Sequence, residues 1–427
     1  GMGQEPAASA KMTIPANVPA AKSMSAIQDM QVTKNARLLN ASQLQTTTKP
    51  AVSTVIRKAA QRAETTTDYS GTWIITYNTL LQEGDDGGEA VTLEATATEN
   101  VYLMKNLWVN GTTVNIQIDP TTGAVTIANQ IIGTLNDGTK LDITAINQGS
   151  GAAERMTPIT GQVNADGTIT IDTWWAVYNS TETEMSTGMY VAFYNTRMLR
   201  PNGQMTFTDS EGVSTVPVYA NQTADNVLEI TNMLNGGLTI EMVLNRDLTA
   251  TIALQPILCN SGTTYQIVNA TIDSDNKVNF TTPVTTQAAT NKKEIKLTDW
   301  SGYGLTSAGS PAWLGMFTNT TITLDNEVSY PTLNVSSLKG EGTKENPWLI
   351  STKDDMIYLS DWINGMETVG SGSLLCTGEY FSLTNDIDMS CHRFTTIAND
   401  YYHIFNGTFD GNGHTIKGLT INTTKYA

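Results

Sequence analysis

An internal duplication constrains the fold of this chain more than any other feature of its sequence. Residues 100–131 read NVYLMKNLWVNGTTVNIQIDPTTGAVTIANQI, and residues 226–257 read NVLEITNMLNGGLTIEMVLNRDLTATIALQPI. Both segments begin with Asn-Val, carry an Asn five residues after the Val, and end in TIANQ or TIALQ. A spacing of about 125 residues is the size of a domain. The sequence therefore predicts two copies of one module, over residues 68–200 and 201–330.

Each predicted copy contains strand and hairpin signals at intervals of about 8–12 residues, which is typical of an all-β antiparallel sandwich or barrel. Val114, Ile116 and Ile118 alternate with polar residues, so one face of this strand is expected to be buried. The pattern leaves open whether the modules are sandwiches or barrels.

The C-terminal segment, residues 331–427, has a different pattern. Its short alternating runs end in Asn, Asp or Gly, as in GEYFSLTNDIDMS (378–390) and TFDGNGHTI (408–416). Such residues tolerate the tight corners between the rungs of a solenoid. The segment therefore predicts the opening of a parallel β-solenoid, an architecture suited to display and binding.

One helix is predicted at the start of this segment. Ser351 and Thr352 can each cap its N-terminus, with Asp354 and Asp355 three residues on at the spacing of a capping box, and Met356, Leu359, Trp362 and Ile363 follow at helical spacing. We expect this helix to cover the open end of the solenoid, where unpaired strand edges would otherwise invite aggregation.

The same C-terminal residues resemble the GLUG-type repeat of large secreted proteins from gut Bacteroidetes and of bacterial adhesins related to filamentous haemagglutinin. The resemblance rests on GTKENPWLIST, LTNDIDMS and FNGTFDGNGHTIKGLTI, in that order. It implies two tandem β-modules followed by the start of a right-handed parallel β-solenoid with one capping helix. Since a solenoid generally needs about three repeats, we expect this unit either to continue beyond Ala427 or to lean on the preceding module.

Charge separates the N-terminal segment from the rest of the chain. Residues 1–67 contain 8 Lys/Arg and 3 Asp/Glu, whereas the whole chain has a net charge of −17. Few aromatic residues and several prolines predict a mostly disordered basic leader or tether; the alternative is a short helix over residues 55–61 packed on the body. The acidic body lacks the Lys and Arg clusters that bind phosphate backbones, which argues against nucleic acid as a partner.

Aromatic residues are the best candidates for a ligand site, because exposed Trp and Tyr rings stack on sugars. Trp174 and Trp175 are adjacent on a predicted strand and must point to opposite faces. The second copy carries Trp300 and Tyr303 where the first carries Trp175 and Tyr178. We therefore expect Trp175 and Trp300 to share a core role and Trp174 to face outward, and the predicted ligand-binding residues are Trp174, Tyr178, Trp300 and Tyr303.

The densest acidic cluster, residues 83–89, is the candidate metal site. Asp85, Asp86 and Glu89 could bind calcium, but their spacing fits no EF-hand loop, and a solvated hairpin loop is the favoured interpretation. No other cofactor is expected. Cys376 and Cys391 lie in one segment and could pair, although a free, buried state is favoured over a disulfide.

The sequence therefore predicts a non-enzymatic, secreted or cell-surface protein of binding or adhesion. It contains no GxSxG, HExxH or phosphate-binding loop, and its three histidines all lie in the C-terminal segment. The expected partner is a glycan or an extracellular protein, with the membrane reached only through an unseen anchor. The alternative is an ancillary, non-catalytic part of a carbohydrate-active β-helix enzyme truncated at its C-terminus.

Overall fold

The structure is a computed structural model, and it describes residues 12–14, 68–79, 86–108, 111–134, 140–145, 158–178, 190–260, 263–365, 376–397 and 403–421. The first described element is a short strand, β1 (Met12–Ile14). The rest of the N-terminal segment lies outside the described residues, and with it the predictions of a disordered leader and of a helix over residues 55–61.

The first unit is a closed antiparallel β-barrel. Eight strands pair in the order β9-β6-β5-β4-β3-β2-β12-β10, and β10 pairs back to β9, while β11, β8 and β7 extend the sheet from β12. Closure leaves the eight strands without a free edge. The strands are β2 Gly71–Thr79, β3 Asp86–Ala95, β4 Val101–Lys105, β5 Thr113–Ile118, β6 Ala124–Ile127, β7 Gln130–Thr134, β8 Lys140–Thr144, β9 Ile159–Val163, β10 Ile169–Ile171, β11 Trp174–Tyr178 and β12 Tyr190–Leu199.

Alternation along each strand fills the barrel with apolar side chains. On β5, Val114, Ile116 and Ile118 are buried and the residues between them are exposed, which confirms the prediction for this strand. The interior also holds Trp73 and Trp108, which are almost fully buried. The all-β prediction is confirmed, and for this unit the barrel is the alternative that the structure adopts.

The second unit contains a curled eight-stranded sheet in the order β21-β17-β16-β15-β14-β13-β25-β22, and a flanking antiparallel sheet in the order β1-β20-β19-β23-β24, with β18 on β19. Backbone hydrogen bonds from Gln287 to Lys296 and from Thr298 to Thr285 join the two outer strands of the curled sheet. The strands are β13 Gly203–Asp209, β14 Gly212–Ala224, β15 Val227–Thr231, β16 Thr239–Leu244, β17 Ala250–Ile252, β18 Pro256–Asn260, β19 Thr263–Ile272, β20 Val278–Thr281, β21 Val284–Thr285, β22 Glu294–Lys296, β23 Trp300–Leu305, β24 Pro311–Trp313 and β25 Thr318–Leu324.

The two units share local details as well as strand order. In the first unit the Gln130 side chain bridges the backbone N–H and C=O of Asn115, at 2.8 and 3.0 Å. In the second unit Gln255 makes the same bridge to Glu241, also at 2.8 and 3.0 Å. Both glutamines close the segments, TIANQ and TIALQ, that suggested the duplication.

The C-terminal unit changes from antiparallel to parallel pairing. Strands β26, β27 and β29 form one parallel sheet, and β28 and β30 form another. Helix α1 packs in the same apolar cluster as these strands. Of the two predicted pairs, Thr352 as N-cap and Asp355 as the third helical residue form the capping box. The elements are β26 Trp348–Ile350, α1 Lys353–Ile363, β27 Tyr380–Leu383, β28 Ile387–Asp388, β29 Thr408–Asp410 and β30 Ile416–Lys417.

The cysteines of the C-terminal unit are free and differ in environment. Cys376 is buried, and burial raises the pKa of its thiol to about 12. Cys391 is exposed, so the prediction that both thiols are buried is wrong for this residue. It follows the β28 strand at a turn that faces the second unit, where its backbone carbonyl accepts a hydrogen bond from the Asp225 N–H at 3.0 Å.

Candidate functional site

The predicted tryptophan ligand site is not on the surface. Trp174 is only 2% exposed, stacks on Phe193 with ring centroids 3.9 Å apart, and donates its indole N–H to Thr196 at 3.0 Å. Trp300 is fully buried and donates its indole N–H to Thr320 at 2.8 Å. The prediction that Trp174 faces outward is therefore wrong, whereas the core position predicted for Trp300 is confirmed.

The sequence alignment paired Trp175 with Trp300, whereas the structure gives Trp174 the environment of Trp300. Trp174 donates to Thr196 on β12 and Trp300 donates to Thr320 on β25, so it is Trp174, and not Trp175, that makes the same kind of bond as Trp300. Trp175 is the half-buried member of the pair. Strand alternation correctly predicts that the two neighbours point in opposite directions, but it does not determine which one points inward.

The two tyrosines of the predicted ligand site lie in separate sheets. Tyr303 is half-buried on β23, with its ring 5.2 Å from that of Phe280. Tyr178 ends β11, and its side chain lies outside the described residues. The structure therefore does not bring the four predicted aromatic residues together in a single exposed surface.

The predicted metal site is only partly described. Asp85 and the side chain of Asp86 lie outside the described residues, so calcium binding there stays a prediction. Strand β3 begins at Asp86, which places Glu89 on the strand and not in a hairpin loop. In the described part of the chain, no group of three or more His, Cys, Asp or Glu side chains is arranged to hold a metal ion.

Glu89 is instead a carboxyl group enclosed by the first barrel. The Tyr77 hydroxyl donates to Glu89 Oε2 at 2.9 Å, and the backbone N–H of Trp108 donates to Glu89 Oε1. Burial raises the pKa of Glu89 to about 7, against the opposing effect of these two hydrogen bonds. The Trp108 backbone has a φ of 63°, a conformation that bulky residues rarely adopt. The Glu89 carboxyl group therefore accepts a hydrogen bond from the Trp108 N–H, which this backbone conformation directs toward it.

The paired carboxylates of LTNDIDMS serve the local backbone. Asp386 accepts the backbone N–H of Thr415 at 2.9 Å, and Asp388 accepts the N–H of Ser390 at 3.0 Å. Both side chains therefore stabilise the turns at the two ends of β28.

A polar cleft lies where the second unit meets the C-terminal unit, and we call it the junction cleft. It has a volume of about 370 Å³. One wall is the turn that carries Asp225, a second is the linker after β25, and the third is the start of α1. The residues that line it are Asp225, Ser329, Tyr330, Pro331, Thr332, Asn334, Thr352, Lys353 and Asp354.

Asp225 binds two side chains of the C-terminal unit beside this cleft. Its carboxylate binds Lys353 Nζ at 2.7 Å through one oxygen and His392 Nδ1 at 2.7 Å through the other. Burial alone would raise the pKa of Asp225, but the hydrogen bonds from His392 and Lys353 outweigh it and hold the pKa below its usual value. The bond to Asp225 in turn raises the pKa of Lys353. Asp225 therefore stays ionised and fixes the first residue of α1 against the second unit.

A second contact fixes the same junction. Arg393 binds both carboxylate oxygens of Glu241, at 2.9 and 3.0 Å, in the fork geometry that arginine alone provides. The backbone of Arg393 also exchanges two hydrogen bonds with the Asn226 side chain, at 2.8 and 2.9 Å. Arg246 and Asp361 form a further ion pair across the junction. These bonds hold the walls of the cleft in place.

The groups left facing the cleft are hydroxyls, an amide, a carboxylate and one aromatic ring. Tyr330 is half-buried, and burial raises the pKa of its hydroxyl. Asp354 already accepts the backbone N–H of Asn334 at 3.2 Å, which orders the linker. This combination can hydrogen-bond a polyhydroxylated ligand and pack one face of it on the ring.

Sequence reasoning missed this site. Asp225 and His392 are 167 residues apart in the chain, and each occurs in a segment with no recognisable motif. The signal that was available is the dipeptide His392-Arg393, which interrupts the repeat-like C-terminal pattern.

Comparison with known proteins adds no relative: no protein-family profile, curated protein or solved structure matches the chain. Across the residues that the structure describes, no helix is long and apolar enough to cross a membrane.

Proposed function

We propose that this chain is a secreted or cell-surface binding protein of the adhesion type, and that the junction cleft takes a glycan or an exposed polar segment of an extracellular protein. The observation that carries the proposal is the composition of the cleft. Tyr330, Asn334, Thr332 and Asp354 present one ring and several hydrogen-bonding groups at a rigid junction, which is the chemistry that sugar recognition uses.

We further propose that the first and second units are tandem copies of one module and that the C-terminal unit is the start of a right-handed solenoid related to the GLUG-type repeats. The matching strand orders, the Gln130 and Gln255 bridges and the two indole-to-threonine bonds support the first part. The parallel pairing of β26, β27 and β29 supports the second part. In this arrangement the modules position the cleft and the solenoid displays it.

The test is binding of the full chain to an array of glycans and matrix proteins, with and without EDTA. We expect a hit that weakens at least tenfold in Tyr330→Ala and that is unchanged in Tyr194→Ala, since Tyr194 is a half-buried tyrosine of the first barrel. Binding that is unchanged in Tyr330→Ala would show that the ligand does not bind in the junction cleft. Binding that only EDTA abolishes would instead assign the ligand site to Asp85 and Asp86. An array in which the protein binds nothing would contradict the proposed function.

A further inference from the structure

The two units carry equivalent aromatic pairs on their first strands. Tyr77 on β2 packs edge-to-face on Phe193, with ring centroids 4.9 Å apart. Phe207 on β13 packs edge-to-face on Phe317, with ring centroids 5.1 Å apart. Phe193 and Phe317 each lie three residues before the threonine that accepts the buried indole N–H of their unit. Tyr77 and Phe207 therefore occupy equivalent positions.

Glu89 occupies a position that is apolar in the second unit. It lies on β3 opposite Ile75, which comes two residues before Tyr77 on β2. Val216 lies on β14 opposite the residue that comes two before Phe207 on β13. The first unit therefore has a carboxyl group where the second unit has a valine side chain.

Trp108 is the third polar group that replaces an apolar residue. It comes two residues after Asn106, whose φ is 68°. Leu234 comes two residues after Asn232, whose φ is 81°. The backbone N–H of each asparagine donates across its loop at 3.0 Å. The first unit therefore has Tyr77, Glu89 and Trp108 where the second has Phe207, Val216 and Leu234.

The surroundings of Glu89 supply hydrogen bonds but no counter-charge. The strands that pack most closely on β3 are β2, β4 and β18. Lys105 is the cation on these strands, and it pairs with Glu94, which strand alternation places on the other face of β3. An ionised Glu89 would therefore stand in the barrel without a cation beside it. The titratable side chains on the three strands are Tyr77, Tyr102, Lys105 and Cys259.

The two residues before Glu89 carry a close contact between the units. Gly87 and Gly88 are buried against the loop over residues 232–238 of the second unit, which contains no titratable residue. A Cβ on either Gly88 or Gly237 would overlap the backbone of the other unit. Backbones this close leave no room for displacement, so a shift at the start of β3 separates the strand from the loop.

We propose that Glu89 is a proton-controlled switch of the contact between the first and second units. With the carboxyl group protonated, β3 stays in place and the units are docked through Gly88 and Gly237. With the carboxyl group ionised, its route to water is an outward movement of the start of β3, at Asp86, and the contact is released. The pKa of about 7 places this change near neutral pH. The proposal is independent of ligand binding in the junction cleft.

Hydrogen exchange of the full chain, followed by mass spectrometry, measures the contact. Comparing protection factors at about pH 5.5 and about pH 8.5 removes the intrinsic pH dependence of exchange. We expect residues 232–238 to lose protection at least about tenfold at the higher pH, whereas residues 239–244 on β16 of the same unit keep theirs. Residues 113–118 on β5 of the first barrel should stay at least about tenfold more protected than the loop.

Glu89→Gln keeps the shape of the side chain and does not titrate. In this variant residues 232–238 should have the same protection at both pH values. Glu94→Gln, on the other face of the same strand, is the matched control and should retain the pH dependence of the unaltered chain. Infrared difference spectra of the unaltered chain minus Glu89→Gln show independently whether Glu89 loses its proton in this range.

Four results would overturn the proposal. Infrared spectra in which Glu89 does not change its ionisation would remove the switch. Unchanged protection over residues 232–238 while Glu89 ionises would separate the proton from the contact, and the same pH dependence in Glu89→Gln would assign it to another group. Equal exchange over residues 113–118 and 232–238 at the higher pH would show that the first barrel unfolds as a whole.

Discussion

The enclosed carboxyl group of Glu89 makes a specific prediction about stability and pH. Its pKa is about 7 in the folded protein, compared with 4.5 for an exposed glutamate. The folded state therefore holds a proton that the unfolded chain has released between these two pH values. The stabilisation is fully present below pH 4.5 and is lost as the pH rises through 7, because ionisation must then occur inside the barrel.

The size of the effect follows from the pKa difference. At about 1.4 kcal/mol per pKa unit, the shift from 4.5 to about 7 corresponds to a loss of about 3 kcal/mol between acidic and neutral pH. The residue as a whole is half-buried, but its carboxyl group is enclosed by Tyr77 and Trp108, so solvent screening is small.

Glu89→Gln isolates this contribution because the amide has the same shape and does not titrate. Unfolding in urea, followed by circular dichroism from pH 4.5 to pH 8, should show the wild type losing about 3 kcal/mol relative to the variant. Glu94→Gln is the matched control on the same strand, since Glu94 is partly exposed and pairs with Lys105. A wild-type-minus-variant difference that stays constant or grows with pH would refute the buried-carboxyl explanation.

Three further changes have expected results. Gly237→Ala would place a methyl group 2.2 Å from the carbonyl oxygen of Gly87, whereas Gly309 has a similar backbone conformation with open space around it. Both variants should lose about 1 kcal/mol of stability through backbone strain, and only Gly237→Ala should lose much more than that. Thermal unfolding of the two variants measures the difference. Arg393→Ala should increase hydrogen exchange in the linker over residues 325–337 while leaving the first barrel unchanged, and Arg393→Lys should restore only part of the protection because lysine lacks the bidentate fork. Thr352→Ala should cost the C-terminal unit about 1 kcal/mol through loss of the N-cap, measurable by chemical unfolding.

The features that sequence predicted well are those fixed by local chemistry. The capping box of α1 follows from a Ser or Thr with an Asp three residues on, and the structure forms it between Thr352 and Asp355, one of the two pairs that this spacing allows. The burial of Val114 and Ile116 follows from strand alternation. Each of these has a signal within a few neighbouring residues: the Thr-to-Asp spacing for the cap, and the apolar residues at every second position for the strand.

The features that sequence predicted poorly depend on distant contacts. The inward position of Trp174 is set by Phe193 and Thr196 on another strand, next to an irregularity at Asn195, whose φ is 53°. The junction cleft requires Asp225 and His392 to meet from separate units. Neither contact has a local signature, because ordinary Asp and His residues acquire these roles only when the units are assembled.

The pairing of the first and last strands of each barrel-like unit has a mechanical consequence. β2 pairs antiparallel with β12, and β13 with β25, so the chain enters and leaves each unit at the same end. In the first unit, Arg200 ties these ends together through bonds of 2.6 Å to the carbonyl oxygens of Asp68 and Ser70. Tension applied along the polypeptide would therefore break the hydrogen bonds between β2 and β12 one after another, beginning with the bonds of Arg200. A surface protein built this way would yield gradually under load and lengthen before its attachment is broken.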